Sequence, residues 1–171
     1  MARIHLIVGP VGAGKSTFAR ELARQYNAVP FNLDQWMADL FRQDRPETNT
    51  LEWYIERTHR CVDQIWRITE DVIATGTDVV LEIGLILRRD RETLYARVDA
   101  QAYDLTIYVL DAPREIRRER VMRRNEERGE TFAMEVPPHF FELASDLWEP
   151  LTDVEREGRD VRVVDSAARA L

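Results

Sequence analysis

Nine residues near the start, Gly9-Pro10-Val11-Gly12-Ala13-Gly14-Lys15-Ser16-Thr17, constrain this 171-residue chain more than any other stretch. They match G-x-x-x-x-G-K-[ST], and the flanks are the required ones: apolar Ile4-His5-Leu6-Ile7-Val8 before, helix-forming Phe18-Ala19-Arg20-Glu21-Leu22-Ala23-Arg24 after. Glycines at 9, 12 and 14 let the backbone turn sharply and aim N–H groups at an anion, while the new helix adds its positive end. In such a loop Gly9, Gly12, Ala13, Gly14, Lys15, Ser16 and Thr17 hold a nucleoside triphosphate. Lys15 reaches the β- and γ-phosphates, and Ser16 ligates Mg²⁺. Lys15 is the only lysine among 24 Lys and Arg residues. A compact ammonium at a site where Arg would be the chain's habit fits a geometric demand.

Composition bounds what surrounds the loop. The length and 44% hydrophobic residues suit one domain spanning residues 1–171. No apolar stretch approaches the ~18 to 20 residues of a membrane span, and the chain enters a strand at once with no signal-peptide pattern, so the expectation is a cytoplasmic protein. Cys61 is the only cysteine. With no partner and no associated His pattern, it reads as a small buried hydrophobe rather than a disulfide, zinc ligand or nucleophile. A net charge of −7 argues against tight, nonspecific binding to duplex nucleic acid.

Short β-rich runs alternate with longer amphipathic segments, the signature of a parallel sheet covered by helices. Strands are expected near 4–8, 29–32, 79–83, 105–110 and 161–164. Helices are expected near 15–26, 34–41, 51–74, 88–100, 113–128 and 138–147. The fold class is therefore α/β, a P-loop NTPase: a five-stranded parallel sheet with helices on both faces and a small Arg-rich lid, its ligands at the carboxyl ends of the strands.

Three further places bear on chemistry. Asp34, just past the second strand, can accept the proton of a substrate hydroxyl, or can simply N-cap the next helix. Glu82 ends the third apolar run Val79-Val80-Leu81, where an acid can hold Mg²⁺ through water, orient an acceptor, or form a salt bridge. In the segment 111–129, Arg120, Arg124 and Arg128 recur every four residues, so one helix face can present a row of guanidinium groups to polyphosphate. The other Arg and Glu residues read as a solvated, ion-paired surface. Gly129-Glu130-Thr131 then suits a small lid. Trp36, Trp53, Tyr54 and Trp66 can stack a ring or sugar face, with buried core as the default. His59 and His139 lack a partner in sequence and are assigned to packing or solvent.

The phosphate loop, Asp34, the strand 79–82 and the pair Arg124-Asn125 with Arg128-Gly129 resemble small P-loop kinases and phosphotransferases of the AAA_33 type, a group related to polynucleotide kinase, zeta toxin and chloramphenicol phosphotransferase. The resemblance runs from Ile4 to about Phe141. It implies that Asp34 is the general base, that Arg124 and Arg128 contact the β- and γ-phosphates, and that the nucleotide is ATP; the chain has no N-K-x-D base-reading motif. The polynucleotide kinases carry an Arg three residues after the acid, where this chain has Met37. With the acidic charge, that difference argues against a nucleic-acid 5′-end as acceptor. Many relatives also carry Asp where Glu82 stands.

The expected activity is transfer of the γ-phosphate of Mg-ATP to a hydroxyl of a small molecule. Lys15, Asp34, Arg124 and Arg128 would be catalytic, Arg120 and Arg124 would hold nucleotide beside the loop, and Ser16 and Glu82 would serve the metal. Two other readings are an ATPase switch acting on a protein partner and a toxin-like nucleotide-sugar kinase. The residues that shape the acceptor fall in 43–60 and 129–145, where no motif names it.

Overall fold

Alternating apolar runs and amphipathic segments assemble, in a computed structural model, into five parallel strands and the helices that connect them. The structure describes residues 2–129 and 132–167. In chain order the elements are β1 (Arg3–Val8), α1 (Lys15–Tyr26), β2 (Val29–Asn32), α2 (Leu33–Phe41), a 3₁₀ turn (Arg42–Asp44), α3 (Thr50–Ala74), β3 (Val79–Glu82), α4 (Arg88–Ala100), β4 (Asp104–Asp111), α5 (Arg114–Glu127), α6 (Pro138–Leu147), α7 (Asp153–Arg156) and β5 (Asp160–Asp165). Each expected strand and helix is present to within a few residues at either end. The short α7 and the 3₁₀ turn are additions.

The strand order is β2-β3-β1-β4-β5, parallel throughout. β1 is central because it is apolar on both faces, as a strand covered by helices on either side must be. Ile4, Leu6 and Val8 point into the larger core with Cys61, Ile65 and Trp66 of α3 and Leu94, Tyr95 and Val98 of α4. Ile7 points the other way, into a second cluster with Ala19 and Leu22 of α1. A third, smaller cluster of Val121, Val136 and Phe141 joins α5 to α6 and includes Val11 of the phosphate loop at its edge.

Two features of this framework position the site. The chain leaves β1 for β2 on one side and later crosses to β4 on the other, so the loop after β1 opens at the switch in direction, where ligands of such sheets gather. The register of β2 with β3 sets Asn32 beside Glu82, at the ends of adjacent strands.

Candidate active site

The phosphate loop closes on itself through Ala13 N–H donating to the Pro10 carbonyl, and Gly14, the N-cap of α1, lies in the left-handed region, φ 86°. Gly12 also has a positive φ, 79°, and a Cβ there would lie 2.6 Å from the Arg117 carbonyl oxygen and 3.0 Å from Val121 Cγ2. The loop therefore rests directly on α5. Arg117, buried, completes the joint by donating to the Val11 carbonyl at 2.9 Å and the Ala112 carbonyl at 3.0 Å. Gly12→Ala is expected to destabilise the fold by about 1–3 kcal/mol, the usual cost of strain at such a position, seen as a lower urea midpoint; an unchanged midpoint would show that loop and helix are not so tightly joined.

Above this joint lies a cleft of about 630 Å³, lined by Gly12, Gly14, Lys15, Ser16, Thr17, Asp34, Glu82, Arg120 and Arg124 among others. Glu82 occupies its floor. Ser16 Oγ donates to Glu82 Oε1 at 2.7 Å and Asn32 Nδ2 donates to Oε2 at 2.6 Å. Burial pushes the Glu82 carboxyl up to about 6, against the pull of Lys15 and of both hydrogen bonds. Lys15 Nζ donates to the Pro10 carbonyl at 2.8 Å. Burial draws its pKa down, and Glu82 and Asp34 oppose that.

Asp34 is exposed at the cleft and belongs to the first turn of α2. It does not cap that helix. The N-cap is Asn32, whose Oδ1 accepts from Gln35 N–H at 2.8 Å while its amide nitrogen serves Glu82. Asn32 was not among the expected site residues; the register of two predicted parallel strands, with its polar side chain opposite Glu82, is the signal that points to it. Because Asn32 holds the cap, the Asp34 carboxylate is left to the cleft.

The arginine row divides. Arg124 lines the cleft, and its Nε is buried without a hydrogen-bond partner among the described residues. Burial lowers its pKa, and Asp34 and Glu82 counter the effect. Arg120 also lines the cleft and donates to the Ser166 carbonyl at 2.6 Å. Arg128 does not line it. α5 ends at Glu127, and Arg128 caps it in the left-handed region, φ 48°, with its guanidinium over Phe132 and 4.0 Å from Glu135. A row spaced by four holds only while the helix continues, and it stops one residue short. Gly9 and Ala13 are likewise outside the cleft lining: Gly9 lies against the Leu110 carbonyl of β4, and Ala13 is buried in the second core.

Asn125, beside Arg124, pairs with the backbone of Val136 through both amide atoms, Nδ2 to the carbonyl at 2.8 Å and Oδ1 from the N–H at 3.1 Å. That joins the two ends of the expected lid at its base; Glu130 and Thr131 lie outside the described residues. The aromatics separate too. Trp66 is core, Trp53 packs against Phe41, and Trp36 and Tyr54 line the cleft. His59 and His139 are exposed. His5 is the buried histidine, its Nε2 3.2 Å from Asp78, and burial lowers its pKa.

A buried guanidinium nitrogen without a partner, a buried ammonium and a loop of backbone turned by glycine suit an anion of high charge. The hydroxyl of Ser16 and the carboxylate of Glu82 are the hard oxygen donors that Mg²⁺ takes, and they already touch.

A parallel sheet of this order, with a phosphate loop after its central strand and an acid at the end of the adjacent one, defines a P-loop NTPase fold. The chain belongs to the AAA_33 family, an AAA domain, whose profile matches residues 4–148. No curated protein matches the sequence significantly. Among solved structures, Kti12 of Chaetomium thermophilum in complex with ADP-AlF3 is similar over 95% of this chain and 88% of its own, with a TM-score of 0.72 at 15% identity. A gluconokinase from Sinorhizobium meliloti is similar over 98% and 84%, with a TM-score of 0.58 at 16% identity. The Pnkp1/Rnl/Hen1 RNA repair complex contains a chain matched over 85% of this one and 43% of its own, with a TM-score of 0.62 at 23% identity. At these identities the likeness is one of fold. Among the described residues no helix is long and apolar enough to cross a membrane.

Proposed function

We propose that the protein transfers the γ-phosphoryl group of Mg-ATP to a hydroxyl of a small molecule. The observation that carries the reading is the gathering of Asp34, Lys15, Glu82 and Arg124 around one cleft, with Asp34 spared from capping by Asn32. A carboxylate that does not cap its own helix, set against cations suited to polyphosphate, supports a base that takes the acceptor's proton during phosphoryl transfer to an alcohol.

In the proposed reaction Asp34 takes the acceptor's hydroxyl proton. The acceptor oxygen bonds to the γ-phosphorus as the bond to the β,γ-bridging oxygen breaks, and the electron pair leaves on ADP. Lys15 and Arg124 neutralise charge on the migrating group. Ser16 and Glu82 would hold Mg²⁺, which supplies further neutralisation at the β- and γ-oxygens when bound. Arg120, fixed to Ser166, lines the nucleotide end. Arg128 keeps a phosphate-binding role only if the chain beyond Glu127 moves inward.

The deciding experiment is ³¹P NMR of Mg-ATP with the protein and pooled hydroxyl compounds. A phosphate-ester resonance is expected; inorganic phosphate alone would overturn the reading in favour of an ATPase switch. Lys15→Ala should weaken ATP binding about 10- to 100-fold in calorimetry, the range for losing charge-assisted hydrogen bonds.

A further inference from the structure

The cations of the cleft are unevenly placed. Among the described residues lining it, every Lys and Arg comes from α1 or α5: Lys15, Arg20, Arg120, Arg123 and Arg124. The facing wall is built by α2, α3 and the loop after β3. It presents Trp36, Tyr54, Thr58, Gly84 and Ile86 around Asp34 and, among the described residues, no basic side chain.

Arginines near this wall in sequence are turned to other work, Arg60 to Glu56 and Arg88 to Glu92 among them. Arg57 lies 4.3 Å from the Trp53 ring centre and donates to the Trp53 carbonyl, and Arg42 donates to the Ala133 carbonyl. Met37, one helical turn beyond Asp34, is buried in the core. An acceptor bearing phosphate or carboxylate here would set its charge on apolar surface beside the Asp34 carboxylate. Such an arrangement rejects anions by desolvation and by repulsion.

What the wall offers instead is aromatic surface and the hydroxyls of Tyr54 and Thr58. Trp36 and Tyr54 are half-buried, packed against the main core on one side and open to the cleft on the other. Phe31 braces Trp36 edge-on at 6.2 Å. Burial, with the Asp34 charge nearby, raises the Tyr54 pKa, so its phenol stays a neutral hydrogen-bonding group next to the base. Rigid rings that bury apolar area while keeping a polar tip suit a flat ligand that must also be oriented.

We propose that the acceptor is an uncharged alcohol with a flat apolar body, seated on Trp36 and Tyr54 with its reacting hydroxyl at Asp34. This rests on the phosphotransferase reading for its chemistry, but not for its binding. The step converts the neutral alcohol to its phosphate monoester, with ADP as leaving group and the hydroxyl proton passing to Asp34.

The test separates binding from transfer. The full chain with Mg²⁺ and a non-hydrolysable ATP analogue is titrated, by tryptophan fluorescence and saturation-transfer NMR, with 3-phenyl-1,2-propanediol, its carboxylate counterpart 3-phenyllactate, gluconate and a 5′-hydroxyl oligonucleotide. The diol is expected to bind at least ten-fold more tightly than 3-phenyllactate. Trp36→Leu should weaken it about ten-fold, and Trp36→Phe, which keeps a ring, should restore most of that loss. Equal or tighter binding of any anionic probe, or no binding of the diol, overturns the proposal. If the diol binds through Trp36 yet no phosphate ester forms with Mg-ATP, the acceptor site stands and the phosphotransferase reading falls.

Discussion

Asp34→Asn should lower the turnover of phosphoryl transfer by about 10² to 10⁴, the span attributed to a positioned general base, while leaving the fold intact. The fold is spared because α2 is capped by Asn32, not by Asp34, and the Asp34 side chain is exposed. The nucleotide should bind no more weakly than before. Asp34 sits close enough to Lys15 and Arg124 to oppose the lowering of both pKa values by burial, so its charge acts against an incoming polyphosphate, and removing that charge favours the anion. A variant with near-normal turnover would remove Asp34 from the role of base. A variant that lost ATP affinity would mean that it organises the loop instead. Rate and calorimetry on one preparation tell these apart.

Glu155→Ala should cost about 3–5 kcal/mol of stability, the range for stranding one member of a buried ion pair. Arg91 is wholly buried and grips Glu155 with two bonds, Nε to Oε1 at 2.7 Å and Nη2 to Oε2 at 3.1 Å. Its Nη1 also donates to the Ile86 carbonyl at 3.1 Å, in the loop that lines the cleft. Replacing both partners, as Arg91→Met with Glu155→Leu, should recover most of the loss, because apolar groups of similar volume leave no charge unpaired.

The pair also predicts a pH dependence. Burial pushes the Glu155 carboxyl up, but hydrogen bonds from Arg91 and Thr152 outweigh it, and the net shift is downward from 4.5. A carboxyl with a depressed native pKa adds stability that is complete above its unfolded value and is lost as pH falls through the native one. Urea melts at pH 7 and at progressively lower pH should show that loss below about 4.5 in the wild type and a shallower one in the double variant. Matching slopes would place the acid-sensitive group elsewhere.

The elements and the phosphate loop were legible because they rest on local signals: apolar runs, glycines and a contiguous nine-residue pattern. What escaped rests on pairing between distant segments. Arg91, in the charged run Arg88-Arg89-Asp90-Arg91-Glu92, falls in register with buried Leu94, Tyr95 and Val98. That register was a usable sign, but its partner in the unpredicted α7 was not visible. Asn32 and Asp34 show the same limit. Two residues apart, either can begin a helix, and only the turn itself decides which one caps. Arg128 belonged to the predicted row by spacing and left it because the helix ended.

Asp34, Trp36, Tyr54 and Thr58 come from one stretch, the crossover between β2 and β3, whereas the cations of the cleft come from α1 and α5. A lineage can therefore redraft most of the Asp34 side by altering a single passage of its gene and leave the cations untouched. Transplanting residues 33–58 between relatives of this architecture is the natural way to exchange what they accept while retaining how they hold phosphate.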